Sequence, residues 1–182
     1  MTFPPGFHLR RGAAPDVPAY GAFLRHTFDA TYGAHHEPGQ MAAHIAEHFG
    51  DERLGAELQD PARTLLLLES GGALAGFAML RAGDAPGDVA AANPVEMERF
   101  YVGHEWHGQG LAGPLMTAAL EVARAAGHDV AWLGVWVQNA RAVRFYEKQG
   151  FAIVGRHVYL FGGRPEDDHL MARALLDPVP GR

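Results

Sequence analysis

The stretch His107-Gly108-Gln109-Gly110-Leu111-Ala112-Gly113-Pro114-Leu115 decides the fold of this chain. Residues 95–102 before it predict a strand, and residues 115–126 after it predict a helix. A strand, a glycine-rich turn and a helix in this order can bind a phosphate, because glycines allow close backbone approach and the first N–H groups of the helix are unpaired. The spacing matches neither Gly-x-Gly-x-x-Gly nor a Walker loop, so an ordinary tight turn explains this stretch equally well by itself.

The length and composition indicate one globular domain. The chain has 182 residues, of which 48% are hydrophobic and 20% charged. We expect the domain to span residues 1–176, followed by a flexible Pro/Gly-rich tail at 177–182. The absence of cysteine excludes disulfides, thiolate catalysis and Cys-ligated zinc. No signal peptide or membrane-spanning run is visible, so a cytoplasmic location is the simplest expectation.

The charge balance limits the partners. A net charge of −6 disfavours nucleic acid, because neutralising phosphates needs clustered Lys and Arg. An acidic surface suits a cationic substrate, although many proteins are acidic only for solubility.

The order of predicted elements defines an α/β fold. Apolar runs and alternation predict strands at 7–10, 64–69, 73–81, 95–102, 130–137, 151–159 and 169–175. Helical spacing and caps predict helices at 16–29, 38–49, 115–126 and 140–149, with a turn or two more at 51–60. Together these predict one mixed, mostly antiparallel twisted sheet of about six to seven strands, flanked on both faces by about four helices.

Residues 96–175 resemble the GNAT superfamily of acyl-CoA-dependent N-acetyltransferases, and three features carry the resemblance. The first is Phe100-Tyr101-Val102, followed after a short loop by His107-x-x-Gly110-x-Ala112, which looks like the family's pyrophosphate loop. The second is Trp132-Leu133-Gly134-Val135-Trp136 leading to Asn139. The third is Asn139-x-x-Ala142-x-x-Phe145-Tyr146-x-x-x-Gly150-Phe151.

A finer likeness is to the bacterial polyamine (spermidine/spermine) N-acetyltransferase branch. It rests on the same tryptophan motif, on Arg141-Ala142-x-x-Phe145-Tyr146, on Gly155-x-His157 with Asp168-His169-Leu170-Met171, and on Thr27-Phe28-x-x-Thr31-Tyr32. Substrates often vary within such a branch.

The resemblance implies a single GNAT-type domain that transfers acetyl from acetyl-CoA, as co-substrate, to a primary amine of a small molecule. Direct attack in a ternary complex is the expected route, and a polyamine is one candidate amine. The alternatives are a protein or peptide N-acetyltransferase, and a sensor that binds acyl-CoA without turnover. A homodimer is a further expectation, since dimers are common in this fold.

The implied cofactor site is largely main chain. Backbone N–H groups of the glycine-rich loop would hold the pyrophosphate, and the strand before it would pair with the pantetheine arm. His107 stands where the family usually has Arg or Gln, which removes a fixed positive charge. The expected cofactor-binding residues are Phe100, Tyr101, Val102, His107, Gly108, Gln109, Gly110, Leu111, Ala112, Gly113, Asn139, Arg141 and Tyr146. Asn139 is equally well explained as a simple helix cap, and Arg141 as a solvated residue.

Tyr146 is the candidate general acid for the departing thiolate. Its phenol can act in this way because its ordinary pKa of about 10 is close to that of a thiol. From spacing alone a core tyrosine beside Phe145 would be favoured, and the family motif reverses that preference.

Glu98, slightly ahead of Glu96, is the candidate base that takes a proton from the amine, directly or through water. Strict alternation along the strand predicts both glutamates on the face that carries Phe100 and Val102. At least one of the two is also explained as a solvent-exposed edge residue, and water is a further candidate for the base.

The histidines and tryptophans have less specific patterns. His44 and His48 have the i, i+4 spacing of some metal ligands, but ordinary helix histidines are the better interpretation and we expect no metal. The loop His35-His36-Glu37 is a candidate lining of the amine site. Trp132 and Trp136 are expected to pack in the sheet, with an aromatic box for a cation as the alternative.

Overall fold

Seven strands and five α-helices follow one another along residues 3–175, which the computed structural model describes. The predicted tail at 177–182 lies outside these residues. The strands are β1 (Phe7–Arg11), β2 (Arg63–Ser70), β3 (Ala73–Ala82), β4 (Pro94–Val102), β5 (Val130–Trp136), β6 (Ala152–Phe161) and β7 (Arg164–Ala174). The helices are α1 (Val17–Tyr32), α2 (Pro38–His48), α3 (Asp51–Gln59), α4 (Ala112–Ala125) and α5 (Ala140–Lys148).

All strands belong to one sheet in the order β1-β2-β3-β4-β5-β7-β6. The pair β4–β5 is parallel, and the other neighbouring pairs are antiparallel. A parallel pair needs a crossover connection, which here is the glycine-rich turn and α4. The mixed, mostly antiparallel sheet predicted from sequence is therefore confirmed.

The central pair β4–β5 is joined only at its beginning. Its three registered pairs run from Pro94–Val130 to Glu96–Trp132, and within residues 3–175 no further pair joins the two strands. Peptide groups of β4 and β5 beyond these pairs therefore border a split in the middle of the sheet. Buried backbone N–H and C=O groups need partners, so such a split is a place where an extended ligand can pair.

A β-bulge interrupts β4 beside the split. In the register with β3, Met97 pairs with Leu80 and Arg99 with Met79, which leaves Glu98 as the extra residue. A bulge inverts the alternation of side chains between the two faces of the sheet.

The sheet separates two cores. One face packs against α4, whose Leu115, Met116, Ala119 and Leu120 are buried. The other face packs against the N-terminal helices, where the apolar stripe of α1 predicted from sequence is buried at Val17, Tyr20, Leu24 and Phe28. Two cores on opposite faces confirm the predicted layers of helices on both sides of one sheet.

Several element boundaries differ from the prediction, and two of the differences, in α4 and β7, concern the site described below. Helix α4 begins at Ala112 rather than residue 115, because Pro114 is tolerated in a first turn, where a backbone N–H has no intrahelical partner. Strand β7 begins at Arg164 rather than residue 169. The turn before it is Gly162-Gly163, with φ of +52° and +79°, which allows a tight hairpin from β6. Within residues 3–175 there is no helix long and apolar enough to cross a membrane.

Candidate active site

A cavity of about 410 Å³ lies on the face of the sheet covered by the N-terminal helices. Side chains of β4 and β5 line it on both sides of the split, together with residues of α1, β6 and β7. Its walls are strongly aromatic, and the aromatic lining residues are Phe28, Tyr32, Phe49, Tyr101, Trp136, Tyr159 and Phe161. Its charged lining residues are Arg53, Arg81, Arg99, Glu96, Glu98, Glu166 and Asp168. An apolar pocket with a few convergent charged groups is the typical form of a small-molecule site.

The predicted glutamates both face this cavity, but the predicted common face is wrong. Glu96 and Glu98 line the cavity, whereas Phe100 and Val102 pack in the core under α4 on the opposite face. The bulge at Glu98 is the reason, since one extra residue turns the following side chains over.

Each glutamate is held by an arginine of another strand, Arg81 of the adjacent β3 and Arg63 of β2, the next strand beyond it. Arg63 Nε donates to Glu98 at 2.9 Å, and Arg81 Nε donates to Glu96 at 2.8 Å. Burial raises the pKa of Glu96, and the bond from Arg81 opposes that shift. A carboxylate bound by an arginine is a weaker proton acceptor than a free one in the same surroundings, because the cation stabilises its charged form.

Two further carboxylates, which the sequence reasoning missed, enter the cavity from β7. Asp168 and Glu166 lie two residues apart on one strand and therefore share a face. Burial raises the pKa of Asp168 to about 6. Glu166 accepts a hydrogen bond from Trp136 Nε1 at 3.0 Å. The Gly162-Gly163 turn was the available signal, because it predicts a hairpin that would have extended β7 back to these residues.

Gly134 of β5 makes room for the β7 carboxylate. A Cβ at this position would lie 2.6 Å from His157 Cε1 and 3.2 Å from Asp168 Oδ2. The side chains of Asp168 and His157 therefore extend over a strand that offers no side chain of its own at that point.

Three tyrosines from different elements, Tyr32, Tyr101 and Tyr146, lie close enough to influence one another electrostatically. Tyr146 of α5 packs against Phe100 and Phe151, as a partly buried member of the core under α4. Burial raises its pKa, and the nearby Tyr32 phenol raises it further. Tyr32 has the same effect on Tyr101, whose pKa is raised well above its usual value, chiefly by burial. All three phenols are therefore neutral near pH 7, the state in which a phenol can donate a proton.

A second cavity, of about 250 Å³, brings together the predicted cofactor residues Val102, His107, Asn139 and Arg141. His107 Nε2 lies 2.9 Å from the carbonyl oxygen of Val102, and Arg141 Nη1 lies 3.1 Å from His107 Nδ1. A carbonyl only accepts and a guanidinium only donates, so His107 donates through Nε2 and accepts through Nδ1. Burial and the charge of Arg141 lower the pKa of His107, and the hydrogen bond to Val102 opposes that shift. A lowered pKa agrees with the neutral ring that these two hydrogen bonds require. Arg141 therefore supplies the positive charge that His107 lacks.

The glycine-rich loop fits an anion at the start of α4. Gly108 and Gly110 have φ of +79° and +75°, and a Cβ at either would meet no atom within 4 Å. The loop backbone is thus open to an approaching group, while Leu111 anchors the loop in the core. Gln109 donates to the carbonyl of Glu105 at 3.2 Å and so braces the loop from outside. These residues suit the pyrophosphate of a coenzyme A derivative.

Asn139 caps α5, since its side chain accepts from the N–H of Ala142 at 3.1 Å. The capping interpretation is confirmed. Contact of Asn139 with the cofactor stays a prediction.

The remaining aromatic and histidine residues divide between core and cavity. Trp132 is 7% exposed and packs in the sheet as predicted, while Trp136 lies on the cavity wall. His44 is buried and stacks against the rings of Phe28 and Phe161, with centroid distances of 5.3 and 4.4 Å. Along the described part of the chain no three His, Cys, Asp or Glu side chains form a group that could hold a metal ion. Of the predicted loop lining, His36 faces the larger cavity and His35 the smaller one.

Comparison with known proteins agrees with this architecture. A family model described as the Acetyltransferase (GNAT) family matches residues 22–151. An uncharacterized N-acetyltransferase in the pepI 3′ region of Lactobacillus delbrueckii subsp. lactis is 32% identical over 171 residues, 94% of this chain and 99% of that protein. Streptothricin acetyltransferase of Streptomyces lavendulae is 32% identical over 129 residues, 69% of this chain and 64% of that protein. The crystal structure of PaiA N-acetyltransferase from Thermoplasma acidophilum in complex with coenzyme A has the same fold, with a TM-score of 0.72 at 21% identity over 92% of this chain and 98% of that one.

The sheet is mixed and seven-stranded, and its parallel pair separates beside the glycine-rich loop that begins α4. Together with the family match, these features define an acyl-CoA-binding acetyltransferase. The chain belongs to the GNAT acetyltransferase family and is an acetyl-CoA-dependent N-acetyltransferase. The family, fold and reaction class expected from the sequence motifs are thereby confirmed.

Proposed function

We propose that this enzyme transfers the acetyl group of acetyl-CoA to a primary amine of a small molecule, which attacks directly in a ternary complex. The cavity of about 410 Å³ that meets the split in the sheet is the observation that carries the proposal. Its size suits a small molecule. Its four carboxylates would attract the ammonium form of an amine toward the place where acetyl is delivered.

In this proposal acetyl-CoA is held mainly by main chain. Its pyrophosphate lies on the N–H groups of residues 108–113 at the start of α4, with Arg141 beside it. Its pantetheine arm pairs with the backbone of Phe100, Tyr101 and Val102 along the open edge of β4. The thioester would then reach the split next to the amine cavity.

Tyr146 is proposed as the general acid. A neutral phenol can give its proton to the thiolate as the carbon–sulfur bond breaks, so that no free thiolate has to leave. Burial of Tyr146 favours this neutral state.

For the base, Glu98 and Glu96 stay candidates because both face the amine cavity. Arg63 and Arg81 bind these two glutamates and so weaken them as proton acceptors. This favours glutamates that attract the amine or act through water over direct proton transfer at the reacting atom.

Polyamines are the finer candidate substrates. Support comes from the sequence motifs shared with the polyamine branch and from the excess of carboxylates over arginines in the cavity lining. A relative named for streptothricin is consistent with a small-molecule acceptor rather than a folded protein.

The test is thiol release from acetyl-CoA, scanned over spermidine, spermine, simple monoamines, aminoglycosides, amino acids and short peptides. Turnover with one class of small amine would support the proposal, and turnover with polyamines alone would support the finer candidate. Turnover restricted to peptides would favour the protein or peptide N-acetyltransferase. Tight acetyl-CoA binding without turnover of any amine would favour the sensor.

A further inference from the structure

We infer that Asp168 is the group that binds the substrate ammonium and takes its proton. This deepens the proposed function and rests on it. Asp168 lines the cavity of about 410 Å³ from β7, which pairs with β5 along the edge opposite the split.

In the part of the chain that the structure describes, Asp168 lacks the arginine partner that compensates the charge of each glutamate on β4. Glu96 and Glu98 are each bound by an arginine. Over residues 3–175 no arginine nitrogen lies within 4.0 Å of Asp168, and its nearest cationic candidate is His157 Nε2 at 4.0 Å. Glu166 also lacks an arginine among these residues, but it accepts a hydrogen bond from Trp136 Nε1 and lies 3.6 Å from His36 Nε2. Within residues 3–175 Asp168 is therefore the cavity carboxylate with neither an arginine nor a side-chain hydrogen-bond donor, and a substrate ammonium would find its strongest uncompensated partner there.

Burial of the Asp168 side chain also makes it a better proton acceptor. The Asp168 side chain is 13% exposed and lies over Gly134 beside Trp136, its register partner on β5. A mostly buried carboxylate without an arginine holds a proton more readily than an exposed one, which makes it a better acceptor near neutral pH. A protein has no structural need for such a group, because burying an unpaired charge is destabilising.

Several ionisable side chains lie close to Asp168. His157 faces it from β6, and Glu166 and Asp167 neighbour it on β7. Tyr32 and Tyr159 are the phenols whose pKa values its charge raises. His157 Nδ1 is buried and has no hydrogen-bond partner among the described residues.

In the inferred reaction Asp168 and Tyr146 handle the protons at the two ends of the acetyl transfer. The carboxylate of Asp168 takes one proton from R–NH₃⁺, and the free amine attacks the thioester carbonyl. The carbon–nitrogen bond forms and the carbon–sulfur bond breaks, with Tyr146 giving its proton to the departing thiolate. The amide nitrogen loses a second proton, which restores Tyr146 through solvent, and Asp168 releases its own proton before the next turnover.

The test compares Asp168→Asn with Asp167→Asn, a matched control whose side chain is exposed on the same strand. With the amine that the wild-type enzyme turns over, Asp168→Asn should lower kcat by about 100-fold or more, the usual contribution of a positioned base. The acid limb of the kcat–pH profile should also disappear. Affinity for acetyl-CoA should be unchanged, and Asp167→Asn should stay within about twofold of wild type.

Two further variants keep the test decisive if Asp168→Asn fails to fold. Gly134→Ala places a Cβ against His157 and Asp168, so it should lower kcat and shift the acid limb without removing the carboxylate. Asp168→Glu should restore part of the lost rate. Wild-type kcat and an intact acid limb in Asp168→Asn would refute the inference, as would a 100-fold loss in Glu98→Gln alone. No amine turnover by the wild-type enzyme would instead refute the proposed function, and the role of Asp168 with it.

Discussion

The buried carboxylate of Asp168, in the cavity of about 410 Å³, should reduce the free energy of unfolding of the enzyme near neutral pH. The pKa of Asp168 rises from 3.8 to about 6 on folding, with burial as the main cause. At 1.36 kcal/mol for each pKa unit, this shift corresponds to about 3 kcal/mol. The folded protein binds the proton more tightly than the unfolded chain, so the free energy of unfolding falls as pH rises from about 4 to about 6.

Asp168→Asn removes this titration and leaves a neutral side chain of similar shape. The variant should match wild type near pH 4, where the wild-type carboxyl is itself largely protonated in the folded state. Above pH 7 it should be more stable than wild type by an amount approaching 3 kcal/mol. A gain in stability at the expense of turnover is typical of a residue kept for function.

The assay is urea denaturation at half-unit steps from pH 4 to pH 8, without acetyl-CoA, since a bound ligand would add its own stabilisation. The difference between variant and wild type is the quantity to follow, because other titrating groups contribute equally to both. Asp167→Asn should show a difference below about 0.5 kcal/mol with no trend in pH. A difference for Asp168→Asn that does not change with pH would refute the reasoning that burial raises this pKa.

Three other variants test the cofactor and acid assignments. Tyr146→Phe should keep acetyl-CoA affinity and lose about 100-fold in kcat, measured by thiol release, and an unchanged kcat would remove Tyr146 from the mechanism. Gly110→Val should abolish acetyl-CoA binding in calorimetry while the protein stays folded by circular dichroism. Gly127→Val, which has the same left-handed φ and an equally open Cβ position away from the loop, should bind normally. Arg141→Ala should raise the KM for acetyl-CoA about tenfold, and equal KM values for Arg141→Ala and the exposed control Arg144→Ala would contradict a phosphate contact.

The sequence by itself determined the features that depend on short-range pattern. Residues close together in the sequence set three such features: the apolar stripe of α1, the hairpin at Ser70–Ala73 and the cap at Asn139. The glycine-rich loop belongs to the same group, since Gly108 and Gly110 adopt backbone angles that glycine favours. These local signals, taken in order, were enough for the fold, and the resemblance of the motifs to a known family supplied the reaction class.

The tertiary structure alone decided which side chains meet in the cavity of about 410 Å³. The bulge at Glu98 exists because β4 pairs with β3, and it overturned the alternation on which the predicted face of the glutamates depended. Arg63 and Arg81 come from other strands to compensate those glutamates. Asp168 lay outside the predicted strands, and its burial depends on the missing side chain at Gly134. Charge and burial at a site are set by residues far apart in the chain, so the pattern within any one segment could not reveal them.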